Sequence, residues 1–515
     1  MVVIQRHVYR VAATLLAGSV LLCAAPGNSQ PATAAAPLGA VKPATHKRLQ
    51  PLVDKLVSEA GIPNAQVCVY VEDAATGSIL ADRNGAEPMI PASNNKLVTT
   101  AAALSLIGPD YKFKTRFYAG GKIDNGTLNG DLIIYGGGDP TISGRFQEDK
   151  LDITASMRQW AAKLKALGVT KISGNIVGDD SWYDDVYFHP NWYPGERAEY
   201  YSAEVSALNF NDNCVDINWS GKGLLPETTA SYTLIPETDY VNFESEVKIV
   251  AKGRSTERYY KRGATDNNIT VTGTFNVDAT RLDSASIHDP ALYFVTILTD
   301  VLKKEGIAVE GKPVKDRTAL AKLGNVEPIF EHSDATLLQV CEVINLNSQN
   351  YYTECVAKLL GKYKIGEGSW AAGTRVMEEF CKNSDGIFSE GHVAQDGSGL
   401  SSRNRVTGKQ LVSILRYMDN HGLKEAWRGT LPQGDVRGSL RRRFLDTDGG
   451  KEVSKRIFGK TGLIGGVRSL SGFVVDATGR ELYYSIILNK LPNSDAPKGM
   501  AFIDKMAVEL ARSGN

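Results

Sequence analysis

The sequence predicts an α+β architecture in which one antiparallel sheet lies between helical layers and the chain forming it is interrupted by a β-rich insertion. Three observations carry this reading. Helix and strand patterns at the two ends of the chain complement each other, a strand-rich stretch runs from about Tyr111 to Ala285, and 515 residues exceed what one ordinary core organises.

The elements follow in order. Residues 47 to 60 read as an amphipathic helix with Leu49, Leu52, Val53 and Leu56 on one face. Strands are predicted from Ala65 to Glu72 and from Ser78 to Asp82, joined by a turn around Ala75-Thr76-Gly77. A helix follows from near Ser93, through small residues to Leu104. Turn signals at Asp124-Asn125-Gly126, Asn129-Gly130 and Gly136-Gly137-Gly138 punctuate the strand-rich stretch, and a helix is predicted near Leu151 to Leu167. Residues 290 to 430 return to helical spacing, for example Leu292, Val295, Leu298 and Val301. A hairpin from Ser469 to Val475 and Glu481 to Asn489 precedes a closing helix from about Pro497 to Arg512. The predicted organisation is therefore a leader at 1–36, a body from 37–110 and 286–515, and one or two inserted β-rich domains at 111–285.

Arg6 and Arg10 precede an apolar stretch from Val11 to Ala25, then Pro26-Gly27 and an Ala/Pro-rich segment. This is the pattern of a secretory signal, too short at about 15 residues to be kept as a span. It predicts a periplasmic protein, with cleavage after Gly27 or near Ala34. Cys23 raises a lipoprotein alternative, which the bulky Leu22 before it disfavours. No later apolar run reaches the roughly 18 residues of an integral membrane span. Lys plus Arg and Asp plus Glu number 58 each, giving zero net charge, so neither nucleic acid nor an anionic membrane surface is an expected partner. Cys68, Cys214, Cys341, Cys355 and Cys381 show no metal-ligand spacing and read as small buried hydrophobes, with a disulfide among the last three left open. The seven histidines are scattered, which argues against a Ser-His-Asp mechanism and a zinc site; no metal or cofactor is expected.

Ser93-Asn94-Asn95-Lys96 carries the first chemical signal. At a helix start, a three-residue step puts hydroxyl and amine on one face, a nucleophile beside a base. Ser93 could also simply cap the helix. Ser245-Glu246-Val247-Lys248 repeats the spacing, but the alternation of Phe243, Ser245, Val247 and Ile249 makes it a strand, with the two side chains on opposite faces. Ser348-Gln349-Asn350 stands before a helical run through Val356, Leu359 and Leu360, and supplies a second hydroxyl and a carboxamide. Lys460-Thr461-Gly462 leads into a strand-like segment and supplies a cation, a hydroxyl and a Gly that permits close approach.

Ser-x-x-Lys, Ser-x-Asn and Lys-Thr-Gly in this order resemble the active-site set of penicillin-recognising serine enzymes. Gly136-Gly137-Gly138-Asp139-Pro140-Thr141, Gly174-Asn175-Ile176-Val177-Gly178-Asp179-Asp180-Ser181, Ser206-Ala207-Leu208-Asn209 and Asp396-Gly397-Ser398-Gly399-Leu400-Ser401 narrow the resemblance to class C low-molecular-mass penicillin-binding proteins. It runs from about Leu49 to the final helix. The resemblance implies a penicillin-binding/serine β-lactamase-like fold and a D-alanyl-D-alanine carboxypeptidase and endopeptidase acting on peptidoglycan stem peptides, and acylated by β-lactams.

The resemblance makes Ser93 the nucleophile, Lys96 its base and Ser348 a proton relay, with Asn350 orienting Lys96 and the substrate amide. Lys460 and Thr461 would hold the terminal carboxylate, and the N–H groups of Ser93 and Leu463, past Gly462, the oxyanion. Asp179 matches a position from which an inserted-domain carboxylate reaches the amine of the stem's diamino acid. Leu463 stands where relatives commonly carry Ser or Thr, removing a hydroxyl from the carboxylate site. A β-lactamase uses the same motifs on a generally shorter chain, and a catalytically weak wall-binding or penicillin-sensing protein is a further alternative. Efficient deacylation of a penicilloyl-enzyme would mark the first, absence of D-Ala release the second.

Overall fold

A computed structural model describes residues 48–514. The leader, Cys23, His46 and the linker of residues 37–46 lie outside the described residues.

Helix α1 (Gln50–Glu59) leads to strands β1 (Gln66–Asp73) and β2 (Ile79–Arg83), then to helix α2 (Asn95–Leu106). Much later come β3 (Ile457–Ile464), β4 (Val467–Val475) and β5 (Glu481–Asn489). Together they form one five-stranded sheet, in the order β3-β4-β5-β1-β2, antiparallel at every pairing. β1 pairs β5 from Gln66 opposite Asn489 to Asp73 opposite Leu482, so the two ends of the chain close the sheet.

Both faces of this sheet are buried, which explains the unbroken apolar run of β1. Val67, Val69 and Val71 join Leu482, Tyr484, Ile486 and Leu488 in a core with the closing helix Ala496–Arg512 through Phe502, Met506 and Leu510. The alternate residues Cys68, Tyr70, Tyr483 and Ile487 face the opposite core. That second core is built by α2 with α3 (Leu337–Asn347), α4 (Asn350–Ile365), α5 (Trp370–Asn383) and α6 (Gly408–Asn420).

The intervening chain has its own core, around Trp160, Trp219 and Phe294, and four further sheets. It extends beyond residue 285. Strand Pro313–Lys315 pairs in parallel with Ile176–Asp179, and Phe330–His332 pairs with Thr115–Ala119, while helix Pro290–Lys304 packs into the same core. The boundary expected at residue 286 thus lies nearer residue 332. The helical spacing of residues 290–304 does form a helix, but periodicity does not reveal against which sheet a helix packs. The five cysteines after residue 47 are buried and free, so no disulfide joins Cys341, Cys355 and Cys381.

Candidate active site

Ser93 sits in a single 3₁₀ turn, Ala92–Asn94, that feeds directly into α2. The turn is tightly held. Ala92 has a left-handed φ of 48°, Pro91 O accepts from Ser469 Oγ at 2.8 Å, and the Asn94 carboxamide lies 2.7 Å from Ser471 Oγ. Ser93 itself stays partly accessible, whereas Asn94, Asn95 and Lys96 are buried. Two glycines allow this packing: a Cβ at Gly399 would lie 1.8 Å from Ala92 O, and one at Gly462 would lie 2.8 Å from Pro91 O.

Lys96 is fully buried and donates to Ser93 Oγ at 2.9 Å, Asn350 Oδ1 at 2.7 Å and Ser398 O at 2.8 Å. Burial pushes its ammonium down to about 7, against the raising influence of Glu354 and Asp396. The partners then decide where the lone pair goes. A neutral amine has two N–H donors, and two of its three partners, the carboxamide oxygen and the carbonyl, can only accept. Only the Ser93 hydroxyl can donate, so the lone pair is left facing it. The Asn350 amide cannot turn round without losing a bond, because its Nδ2 donates to Tyr201 O at 2.8 Å.

Ser348 ends α3 in the left-handed conformation, at φ 56°, immediately before α4 begins at Asn350. Its hydroxyl accepts from Lys460 Nζ at 2.8 Å, and Lys460 also donates to Thr461 O at 2.9 Å. Burial, and then the charge of Lys96, drive the Lys460 ammonium well below its usual range. Thr461 Oγ1 lies 2.9 Å from Ser439 Oγ. Leu463, two residues along β3 and so on the same face as Thr461, is 45% exposed. Gln349 turns to the inserted region, donating to Asp212 Oδ2 at 3.0 Å.

The structure thus links Ser93, Lys96 and Asn350 by hydrogen bonds and Ser348 with Lys460, the charges of the two lysines acting on each other, with Thr461, Gly462 and Leu463 continuing the strand of Lys460. Asp179 does not join them. It is completely buried, and its two carboxylate oxygens accept from the backbone N–H groups of Ser181 at 3.0 Å and Leu320 at 2.9 Å. These bonds tie a turn and a short helix, Ala319–Leu323, to the inserted sheet, and they hold the carboxylate in the interior of that region. The decoy serine lies on strand Asn242–Val250, far along the chain in the inserted region, as its alternation required.

Several contributors carried no motif. Tyr201 acts through a backbone carbonyl, which side-chain patterns cannot mark. Glu354 stands one helical turn after Asn350, a spacing that places both on one face of α4. The inserted segment also braces this body: Lys358 donates to Asp184 Oδ1 at 2.6 Å, and Trp192 Nε1 to Asp396 Oδ2 at 2.9 Å.

Comparison with known proteins agrees in extent. A profile described as the D-Ala-D-Ala carboxypeptidase 3 (S13) family matches residues 49–510. The chain is 30% identical to a D-alanyl-D-alanine carboxypeptidase of Actinomadura sp. over 89% of this chain and 84% of that protein. It is 24% identical to the D-alanyl-D-alanine carboxypeptidase DacB of Haemophilus influenzae, over 81% of this chain and 84% of the relative. The crystal structure of penicillin binding protein 4 from Haemophilus influenzae superposes with a TM-score of 0.76 at 22% identity, covering 90% of this chain and 99% of that one.

Proposed function

Because the chain belongs to the D-Ala-D-Ala carboxypeptidase 3 (S13) family and is a serine peptidase of that kind, we propose that it trims peptidoglycan stem peptides through an acyl-enzyme on Ser93. The observation that carries this reading is the Lys96 amine, buried, 2.9 Å from Ser93 Oγ, and with its other two partners unable to donate.

Ser93 Oγ attacks the carbonyl carbon between the two terminal D-Ala residues as its proton passes to Lys96 Nζ. The carbonyl becomes an oxyanion, for which the N–H groups of Ser93 and Leu463 are the proposed donors. Collapse breaks the C–N bond, and the leaving amine takes a proton relayed from Lys96 by way of Ser348 Oγ, which Lys460 orients. Free D-Ala departs. Water, deprotonated by Lys96, then attacks the ester, and Ser93 recovers its proton as the shortened peptide leaves.

Lys460, whose Nζ bends back to Thr461 O, and the Thr461 hydroxyl are the cation and donor we assign to the terminal carboxylate. A β-lactam offers a strained amide and a carboxylate in a similar arrangement, and penicillin binding protein 4 of Haemophilus influenzae has been crystallised in complex with a novel β-lactam. Crosslink cleavage uses the same bond chemistry with a larger leaving amine. The leader motif supports action in the periplasm; among the described residues no helix is long and apolar enough to cross a membrane.

The test has two arms. A labelled penicillin should mark the wild type and leave Ser93→Ala unmarked, and the wild type should release free D-Ala from a pentapeptide ending in D-Ala-D-Ala. Labelling of Ser93→Ala would remove Ser93 from the nucleophile role.

A further inference from the structure

Helix α4 reaches Lys96 twice. Asn350 does so directly, and Glu354, one turn later, does so through the backbone of the loop around residue 397. Glu354 Oε1 accepts from Ser398 N at 2.7 Å, and Oε2 accepts from Gly397 N at 2.9 Å and from Trp370 Nε1 at 2.8 Å. The carbonyl of that same Ser398 accepts from Lys96 Nζ at 2.8 Å. The loop lies close upon α4, where a Cβ at Gly397 would stand 2.9 Å from Ala357 Cβ and 3.0 Å from Thr353 O. Glu354 is wholly buried, and its three donors are all neutral N–H groups. A carboxylate so placed is costly to bury and projects its charge strongly on nearby groups.

We infer that Glu354 is a positioning residue that sets how firmly Lys96 holds its proton. It fixes the Gly397–Ser398 peptide so that Ser398 O faces Lys96 Nζ, and in its ionised form it places a negative charge behind that carbonyl. The inference rests on the reading of Lys96 as the base that activates Ser93.

The charges around the pair set the sign. Lys96 is faced by Glu354 from α4 and by Asp396 from the loop, both favouring its protonated form, with Glu354 the larger influence. Lys460 faces it from β3 and acts in the opposite sense. Asp396 also faces Glu354, and His189 and Lys358 lie on the far side of this cluster. Burial, then Asp396, push the Glu354 carboxyl up to about 7, opposed by the hydrogen bonds from Ser398, Gly397 and Trp370. Without the carboxylate, burial of Lys96 is less opposed and its proton leaves at lower pH.

The experiment is the pH profile of kcat/KM for D-Ala release from a short peptide ending in D-Ala-D-Ala, for the wild type, Glu354→Gln and Glu354→Asp. In Glu354→Gln the acid limb should move to lower pH by on the order of one unit, while the plateau falls about tenfold because the Ser398 peptide is held less well. Glu354→Asp keeps the charge and should keep the wild-type limb with a lowered plateau, which leaves a readout if the Gln protein does not fold. An acid limb unmoved in folded Glu354→Gln, or displaced downward in Glu354→Asp, overturns the inference. Penicillin labelling of the same preparations separates the two levels: if Ser93 still acylates and the limb does not move, only the role of Glu354 fails, whereas loss of Ser93 as the acceptor sinks the underlying mechanism.

Discussion

Asn350 Oδ1 accepts from Lys96 Nζ across 2.7 Å, and the opposite side of the same carboxamide is anchored on Tyr201 O at 2.8 Å. The first bond crosses from α4 to α2, and the second from α4 to the inserted region. A backbone carbonyl of the insertion therefore decides which face of Asn350 meets the base, and through it where the Lys96 lone pair points.

That relationship predicts the behaviour of Asn350→Asp. A carboxylate there favours the protonated lysine, so the acid limb of kcat/KM should rise from near 7 by about one to two pH units, in the direction opposite to that of Glu354→Gln. The lost Nδ2 donor also frees Tyr201 O. Measured at pH 7, D-Ala release should fall by roughly 10- to 100-fold, with partial recovery at pH 9. No recovery at alkaline pH would show that Asn350 serves the site through geometry alone.

Gly399→Ala tests the packing under the nucleophile. Gly399 has a φ of 83°, and an added Cβ would stand 1.8 Å from Ala92 O, so either the turn bearing Ser93 or the loop bearing Ser398 must shift. A loss of stability of about 1–3 kcal/mol is expected in urea unfolding. Penicillin acylation should slow by about 100-fold, since an error of about 1 Å at a reacting group has that effect. Normal acylation in a folded variant would show that the turn tolerates displacement.

The sheet was legible because its pattern is local: short apolar runs in β1 and β5, bounded by turn residues such as Ala75-Thr76-Gly77, fix strands without knowledge of partners. Ser93, Lys96, Ser348, Asn350 and Lys460 were legible because each sits in a short motif, four of them at a helix start or end and Lys460 within β3. What the sequence hid is of another kind. The Tyr201 contribution is a carbonyl, identical in every residue, and the Glu354 carboxylate gains its role only once the loop around Ser398 folds over α4. Asp179 is harder to place from sequence, because an acidic residue at a strand end can face solvent, substrate or backbone, and its partners here are backbone N–H groups, one of them from the helix at Ala319–Leu323.

Leu463→Thr restores a hydroxyl beside Thr461. Residue 463 is 45% exposed and on the same strand face as Thr461, so the change should alter stability by less than about 0.5 kcal/mol. One added hydrogen bond to a carboxylate is worth about 1.5 kcal/mol or more, so KM for a D-Ala-D-Ala peptide should fall by roughly tenfold, and a peptide amide lacking the carboxylate should gain nothing. Equal gains for both substrates would place the carboxylate elsewhere.

Lys96 also leaves a mark on stability, with a sign opposite to that of a salt-bridged lysine. Its folded pKa of about 7 lies below the unfolded value near 10.5, so between these limits the unfolded chain binds a proton that the folded chain does not. Folding stability from this group therefore rises with pH across that window and is lost as pH falls toward 7. Lys460, displaced in the same direction, adds to the slope. Lys96→Met removes the Lys96 share: relative to this variant, the wild type should gain on the order of 2–3 kcal/mol between pH 7 and 9, read from urea midpoints of the two proteins at each pH. Parallel curves would mean that Lys96 keeps its proton throughout, and a lysine that keeps its proton cannot take one from Ser93.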